Sequence, residues 1–526
     1  MAVTHPDRVP PRSALVLTAL ILGAVVSNIN LGIANVALPS IGRDLGATQD
    51  QLTQIGDGFA LGLAASVLYL GAIGDRYGRK MLFVAGAILT IPTSMMAAWA
   101  PNPDFLAMSR VLCGLAAALL FPTTLSLIGA LYSGRAQVKS IALWSGIGGG
   151  VAALGPVIGG WLLQYFWWGS VFLVALPLDI LALIIGLWVI PWHAGEETHP
   201  VDHLGGVLSV IGVGALVISI QNLDVGMTPT EITLTVVTVA ALGAFLWRQT
   251  RAPYPLVSLP LAKARTFWVA FVAGSITFGS LIGAMFIGQQ FTQNVLGYNT
   301  FTAAAVVVPA AIMTALCGQI AGRIIEARGS RVSFLLGLSC VAAAFILMLA
   351  TWRTGVSVWW ILASYALVGA GVGLAATPAS RSLMASVPPT RTGMGSAFLD
   401  LTRDLGGAVI QALMGVLLAG IYARSLTSAF NTLTPAQAAQ VSQQAATEIL
   451  SSYEGAVEVA KSYPQAQADA IVSAASTAFT EGKGAAIGVG LLLTLIALVI
   501  VFTLYPRREA EIDYYRSVSD EPATTT

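Results

Sequence analysis

Long apolar runs separated by short polar breaks dominate this chain of 526 residues. A helix that crosses a membrane needs about 20 mostly apolar residues, and fourteen such runs can be read along the sequence. We number them spans one to fourteen and place them at residues 14–37, 51–73, 81–99, 104–131, 139–163, 168–191, 205–222, 231–248, 267–290, 301–321, 332–350, 357–378, 394–420 and 484–505. The pattern predicts an all-α integral membrane protein with fourteen transmembrane helices, the first retained rather than cleaved as a signal peptide.

Composition supports the membrane assignment and excludes several other classes. Only 10% of residues are charged, 56% are hydrophobic and the mean hydropathy is +0.78, which is outside the range of a soluble domain. The net charge of +1 carries no information about a nucleic-acid partner, and we predict none. Cys113, Cys317 and Cys340 all fall in apolar spans, which argues against a disulfide framework. The sequence contains no zinc-type Cys/His spacing, Walker loop or nucleophile elbow, so we predict no metal, no cofactor and no enzyme activity.

The distribution of Lys and Arg predicts how the chain is mounted. With the N-terminus inside, nineteen Lys and Arg residues fall in interior loops and tails, against five in exterior loops. Because cytoplasmic loops carry an excess of positive charge, both termini are predicted to be cytoplasmic.

A charged loop and its echo suggest an internal duplication. Gly74–Lys80 reads GDRYGRK and follows span two, while the looser Gly322–Arg331 follows span ten. Duplicated halves are typical of secondary transporters, which bind substrate near the midplane where the halves meet. We therefore predict the following division: a cytoplasmic tail (1–13), a six-helix half (14–191), an inserted helix pair with linkers (192–265), a second six-helix half (266–505) and a cytoplasmic tail (506–526).

One long exterior excursion, residues 422–483, separates the last two spans. Residues 434–461 are rich in Ala, Gln and Glu, with Ile449, Tyr453, Val457 and Val459 at roughly helical spacing. Tyr463 and Pro464 break this pattern, and residues 466–479 read as a second helix. The pattern predicts an exterior helical hairpin, with a flexible loop as the alternative.

Several ordered motifs resemble the major facilitator superfamily, in particular its fourteen-span drug:proton antiporter branch. They are the loop 74–80, the stretch 35–39 (NVALP) that ends span one, the arginine motif 110–114 in span four and the antiporter motif 155–160 in span five. Segments 119–128 and 455–461 resemble multidrug exporters of the QacA and LfrA type more closely. The resemblance covers nearly the whole chain and implies the major facilitator fold.

The loop 74–80 has the residue types of a conformational latch. Gly74 and Gly78 permit tight turns and close helix approach, and Asp75 could pair with Arg76 or Arg79 and face a neighbouring helix terminus. The alternative is a topology anchor that only follows the positive-inside bias.

Span five has the residue types of a bending or sealing helix. Gly146, Gly150, Gly155 and Gly159 recur so that pairs four residues apart share a helix face. Pro156 loosens the hydrogen-bond ladder nearby, and Gly160 completes the motif. Ordinary close packing is the alternative.

Ionisable residues inside the spans are the candidates for proton coupling and substrate binding, because a charge at a helix centre costs about 2.5 to 3.5 kcal/mol. The candidates are Asp57, Asp179, Asp400, Asp404 and Arg110. Asp57 and Asp404 match acids of the QacA type, and Arg110 resembles the family's proton-relay arginine. Asp179 has no counterpart there and is either specific to this protein's substrate or a packing partner. Asp400 could share a proton or a cation with Asp404, or be neutralised by Arg403.

Two positions depart from the family pattern. The aspartate of the family's span-one signature is Asn30 here, and an acid in span ten of QacA is replaced by Thr314. Asparagine can donate and accept hydrogen bonds but cannot titrate. The loss of two carboxylates implies weaker attraction for divalent cations, or a different substrate.

The resemblance implies a proton-coupled exporter of amphipathic, cationic drugs that works by alternating access in the cell membrane. Its partners would be a small-molecule amphipathic substrate, protons and the lipid bilayer, and it would be a monomer. An exporter of lipids or endogenous metabolites on the same fold is the first alternative. A membrane receptor or scaffold without transport is the second.

Overall fold

The computed structural model describes residues 9–47, 49–192, 200–221, 228–257, 259–388, 392–431, 442–451 and 453–519. These residues are almost entirely helical, and they contain no strand. Thirteen helices in this part of the chain are long and apolar enough to cross a membrane. The predicted span five is also a helix, Gly134–Tyr165, of 32 residues. The structure therefore confirms an all-α membrane protein with helices at all fourteen predicted spans.

The helix bounds follow the predicted spans, and three spans are divided. Spans one to six are Ser13–Leu45, Gln49–Tyr77, Arg79–Ala98, Pro103–Leu131, Gly134–Tyr165 and the pair Ser170–Leu173 with Leu176–Val189. Spans seven and eight are His203–Gln221 and Pro229–Arg251, followed by the short helix Leu259–Ala262. Span nine is Arg265–Gln290 with a π-helical end, Phe291–Val295, and span ten is Thr300–Ala305 with Val308–Arg328. Spans eleven to thirteen are Ser330–Thr351, Val358–Ala385 and Thr392–Asn431. Helices Gln443–Ser451 and Tyr453–Ala460 precede span fourteen, Gln465–Leu504, and a last helix, Arg508–Ser519.

The exterior excursion differs from the predicted hairpin. Its second helix is not separate, because Gln465–Leu504 is one helix of 40 residues that includes span fourteen. After Pro464 no proline interrupts its hydrogen-bond ladder, and the polar Ala-rich stretch continues the helix into the apolar one. The first arm is divided into the two short helices named above, and residues 434–441 and 452 of the predicted arm lie outside the described residues.

The described part of this excursion is packed, not isolated. Tyr422 of span thirteen donates a hydrogen bond to the Ile449 carbonyl oxygen at 3.1 Å, and the rings of Tyr453 and Phe479 meet edge to face, 6.1 Å apart. Lys483, which the sequence places in an exterior loop, is buried in span fourteen. Its ammonium donates to the Trp352 carbonyl oxygen and lies 4.6 Å from the Phe291 ring centroid. The pattern of apolar and polar residues along the chain does not reveal such a buried lysine, because its partners lie at the end of span nine and directly after span eleven.

Close glycine contacts join spans two and four of the first predicted half, and the corresponding spans ten and twelve of the second. A Cβ at Gly62 in span two would lie 2.1 Å from the Val111 carbonyl oxygen in span four. Eight spans later, a Cβ at Gly369 in span twelve would lie 2.1 Å from the Ala310 carbonyl oxygen in span ten. Backbones that approach this closely gain packing contacts that no larger residue would permit.

We expect Gly62→Ala to destabilise the protein, because the added methyl group must force spans two and four apart. Overpacking of this kind typically costs about 1 to 3 kcal/mol, which should appear as a lower melting temperature of the purified protein. Gly243→Ala is the matched control, since nothing lies within 4 Å of a Cβ there. Equal melting temperatures for the two variants would contradict the close approach.

Spans two and thirteen also meet, near Gly71 and Gly393. A Cβ at Gly71 would lie 2.9 Å from the Gly393 carbonyl oxygen and 3.2 Å from the Ala397 methyl group. Span seven packs against span two on another side, where the Tyr69 hydroxyl and the His203 Nδ1 atom are 2.9 Å apart. Span two therefore contacts the first predicted half, the inserted pair and the second predicted half.

Candidate functional site

Asp75 caps the start of span thirteen and pairs with Arg79. Its Oδ1 accepts hydrogen bonds from the Arg79 Nη2 at 2.9 Å and from the Gly393 backbone N–H at 2.8 Å. Its Oδ2 accepts from the Met394 N–H at 3.3 Å. Asp75 and Arg79 are buried, at 4% and 1% exposure. A carboxylate at a helix N-terminus accepts hydrogen bonds from the free N–H groups and interacts favourably with the positive end of the helix dipole. This geometry can therefore hold spans two and thirteen together.

The rest of the loop anchors the neighbouring helices. Gly78 has φ 116°, a conformation that L side chains rarely adopt, and it lets span three begin directly after span two. The Lys80 ammonium donates to the Leu187 and Ile190 carbonyl oxygens at 2.8 and 2.6 Å, at the end of span six. Gly74 is buried, and a Cβ there would lie 3.1 Å from Leu82. The loop therefore bonds to the start of span thirteen through Asp75 and to the end of span six through Lys80.

Arg76 lines a small cavity beside this loop. The cavity has a volume of about 40 Å³, and its walls include Asp75, Arg76, Asp202, Tyr254 and Met394. Asp202 precedes span seven and pairs with Arg248 of span eight at 3.2 Å. The linkers of the inserted helix pair therefore lie directly against the charged loop.

The echo after span ten is completed by the C-terminal helix, which sequence reasoning missed. When Gly78 and Gly329 are aligned, Arg79 corresponds to Ser330. Glu511 accepts hydrogen bonds from the Ser330 backbone N–H at 3.1 Å and from its hydroxyl at 2.5 Å. Burial and the neighbouring Tyr505 and Glu511 raise the pKa of the Tyr515 phenol well above its usual range, so it stays protonated. The amphipathic tail after span fourteen was a signal that could have revealed this contact.

The glycines of span five face two helices. A Cβ at Gly146 or at Gly150 would lie 3.1 Å from the carbonyl oxygens of Ala315 and Ala311 in span ten, respectively. On the other side, a Cβ at Gly159 would lie 2.9 Å from Ile33 of span one, and one at Gly155 would lie 3.4 Å from the Ile29 carbonyl oxygen.

The antiporter motif therefore lies in a helix that fits tightly between spans one and ten. Gly160, its last residue, is buried, and a Cβ there would only touch Val36 and Phe301. The side chain of Pro156 lies outside the described part of the structure.

Arg110 connects spans one, two and four. Its Nη2 donates to the Asn30 carbonyl oxygen at 2.9 Å and its guanidinium lies 5.0 Å from the Phe59 ring centroid. It is fully buried, its Nη1 has no hydrogen-bond partner among the described residues, and it lies close enough to Asp57 for their charges to interact. Asn30 itself donates to the Val26 carbonyl oxygen at 3.0 Å. The structure thus brings Asp57, Arg110 and Asn30 into one group.

A second group surrounds Arg403 of span thirteen. Its Nε donates to Asp404 Oδ1 at 3.0 Å, and its Nη1 donates to Asn28 Oδ1 of span one at 3.1 Å. Its guanidinium carbon lies 4.1 Å from the ring centroid of Phe121 in span four. Asp400 is close enough to interact electrostatically with Arg403, and the Oδ2 atoms of both acids are buried without a hydrogen-bond partner in the described chain.

The two partners of Arg403 were not predicted. Asn28 is an amide inside an apolar run, and Phe121 lies in the segment 119–128 that resembles the QacA type. An intramembrane amide is itself a signal that could have identified Asn28.

Asp179 has no hydrogen bond to either of these groups among the described residues. It is fully buried in the first turn of Leu176–Val189, and neither carboxylate oxygen has a hydrogen-bond partner among the described residues. Thr314, the span-ten position named above, donates to the Ala310 and Gly369 carbonyl oxygens at 2.8 and 3.1 Å. The neutral hydroxyl of Thr314 is therefore satisfied, whereas the carboxylate of Asp179 is not.

Similar proteins include several named efflux pumps. The chain is 31% identical over 502 residues to the multidrug efflux pump LfrA of Mycolicibacterium smegmatis, covering 95% of this chain and 98% of that protein. It is 29% identical over 497 residues to the methyl viologen resistance protein SmvA of Salmonella typhimurium, covering 94% and 98%.

Solved structures and a family profile place the fold. A bacterial homologue of the human lysosomal transporter Spinster, in an inward-facing and unoccupied conformation, covers 97% of this chain and 98% of its own, at 18% identity and a TM-score of 0.56. The human organic anion transporter MFSD10 covers 93% and 100%, at 14% identity and a TM-score of 0.59. The profile of the Major Facilitator Superfamily matches residues 20–411. The chain belongs to the major facilitator superfamily.

Proposed function

We propose that this protein is a proton-coupled exporter of amphipathic, cationic drugs that works by alternating access in the cell membrane. Named multidrug and methyl viologen resistance proteins among its relatives support this cargo. It would act as a monomer, with 14–191 and 266–505 as the moving halves and 192–265 as an inserted pair.

The observation that carries the proposal is the acid pair of span thirteen. Asp400 and Asp404 are buried, and each has an oxygen without a hydrogen-bond partner among the described residues. Arg403, which pairs with Asp404, contacts Asn28 and Phe121 of the other predicted half. Buried carboxylates without full compensation are costly and are typical of proton and cation pathways. Their place between the predicted halves is where secondary transporters bind substrate.

Asp57 and Arg110 supply a second titratable site in this proposal. The permanent charge of Arg110 would bias the proton affinity of Asp57 without leaving its own bonds to the span-one and span-two backbone. The Asp75 loop would lie on the cytoplasmic side, as would both termini, and would hold that side shut in one conformation. Each proton that enters carries about 2.3 kcal/mol per 100 mV, but a monovalent cation that leaves costs the same amount. A one-for-one exchange is therefore driven by the pH gradient, which supports a substrate gradient of about tenfold per pH unit.

Transport of a cationic dye into inverted membrane vesicles tests the proposal. With an imposed proton gradient, Asp57→Asn and Asp404→Asn should each lower the initial rate at least tenfold, because asparagine cannot carry the proton. Asp469→Asn, an exposed acid outside the predicted membrane core, is the control and should transport normally. Undiminished gradient-driven transport in both membrane variants would overturn the proposal.

A further inference from the structure

Arg403 occupies a site whose chemistry fits an organic cation. A carboxylate oxygen, an amide oxygen and an aromatic face surround its guanidinium, at 3.0 Å from Asp404, 3.1 Å from Asn28 and 4.1 Å from the Phe121 centroid. A cation over an aromatic face gains electrostatic attraction, and more so when the site excludes water. The Arg403 side chain is only 12% exposed.

Arg403, Asp400 and Asp404 together carry a net charge of −1 when both acids are ionised. Asp400 and Asp404 carry two negative charges when ionised, and Arg403 supplies one positive charge. Asp400 Oδ2 and Asp404 Oδ2, which are buried and have no hydrogen-bond partner in the described part of the chain, mark where the missing charge would be neutralised. An uncompensated buried charge is costly, so the group has capacity for one more proton or one monovalent cation.

The contacts of Arg403 also cross between the predicted halves. Asn28 lies 375 residues away in span one, and Phe121 belongs to span four. A bound ligand cannot share the Phe121 face with a guanidinium that already lies on it. Arg403 must therefore move before another cation can use that face.

We propose that Arg403 is a tethered stand-in for the substrate, which holds the cation site between Asn28, Phe121 and Asp404 until a monovalent organic cation displaces it. This inference rests on the proposed function. A guanidinium is planar, delocalised and weakly hydrated, so the site favours flat or delocalised organic cations over compact, strongly hydrated ammonium ions. Arg403 thereby sets both the affinity and the charge preference of the exporter.

Tetraphenylphosphonium binding to the purified protein in lipid nanodiscs tests this role. This probe has no hydrogen-bond donor, so it loses nothing directly when the Asn28 amide is removed. Arg403→Gln should bind it about tenfold more tightly, because the competing cation is gone and both acids remain. Arg403→Lys is the matched control and should stay within about threefold of the wild type, since it keeps a tethered charge.

Phe121→Leu separates a binding face from a structural support. If the substrate uses Phe121, this change should weaken binding about fivefold in the Arg403→Gln background, where no arginine remains to be held. If Phe121 only supports Arg403, its effect should vanish in that background, which would overturn the inference.

Asn28→Ala keeps the inference testable if Arg403→Gln does not fold. Loss of the 3.1 Å bond should loosen Arg403 and tighten tetraphenylphosphonium binding by about threefold. Unchanged or weaker binding in both the Asn28 and the Arg403 variants, with the wild type still binding, would overturn the inference alone. Absence of binding in the wild type and every variant, for every cation tried, would instead overturn the proposed function.

Discussion

Replacing Asp75 by asparagine should release the contact between spans two and thirteen and slow transport at least tenfold. The carboxylate accepts from Arg79 and from two N–H groups that begin span thirteen. Removing one partner of a buried ion pair typically costs about 3 to 5 kcal/mol, because the other charge stays buried. The conformation in which these spans meet should therefore lose population.

Chemical labelling of Ala397→Cys would measure this release. Ala397 is fully buried and faces Gly71 across the contact, so a cysteine there should react with a polar maleimide only when the spans separate. The background would lack the three native cysteines, and Asp75→Asn should raise the labelling rate about tenfold or more.

Glu326→Gln supplies the matched control for the Asp75 change. Glu326 is the acid that occupies the corresponding place in the echo after span ten, but it is exposed. An exposed substitution of this kind usually changes stability by less than about 0.5 kcal/mol. If Asp75→Asn behaves like Glu326→Gln in labelling and transport, Asp75 is a topology anchor and not a latch.

The positions of the membrane helices could be predicted from the sequence, because the length and apolarity of a run determine whether it can cross a membrane. A backbone in hydrocarbon must satisfy its hydrogen bonds internally, so each apolar run of sufficient length became a helix. The same logic failed outside the apolar core. Nothing in the polar stretch after Pro464 says whether it forms a separate helix or extends span fourteen, and the structure shows the extension.

The site was predictable by residue type but not by partner. An acid or arginine in a span is visible in the sequence, so Asp57, Arg110, Asp400 and Asp404 could be named. Their partners depend on how distant spans pack, and no local pattern relates Arg403 to Asn28 or Phe121. The loop after span ten posed the same difficulty, because its capping acid, Glu511, comes from the far end of the chain.

Asp179 gives the second large effect, since replacing it by leucine should stabilise the protein while impairing its transport. As a packing partner, Asp179 would need a hydrogen bond to a polar neighbour, but both of its buried oxygens lack one in the described chain. A buried polar group without a hydrogen bond costs about 1 to 3 kcal/mol. Asp179→Leu should therefore raise the melting temperature of the purified protein. A costly carboxylate is retained most readily where it takes up a proton or a cation, so we expect gradient-driven dye transport to fall at least tenfold.

Asp202→Asn is the contrasting control, because this buried acid has its bonding satisfied. It accepts from the Gly205 N–H and pairs with Arg248, both at 3.2 Å, so its neutralisation should lower the melting temperature instead. A lower melting temperature for Asp179→Leu would mean that the carboxylate stabilises the fold after all. A higher one with unimpaired transport would remove Asp179 from the coupling pathway and leave that role to the acids of spans two and thirteen.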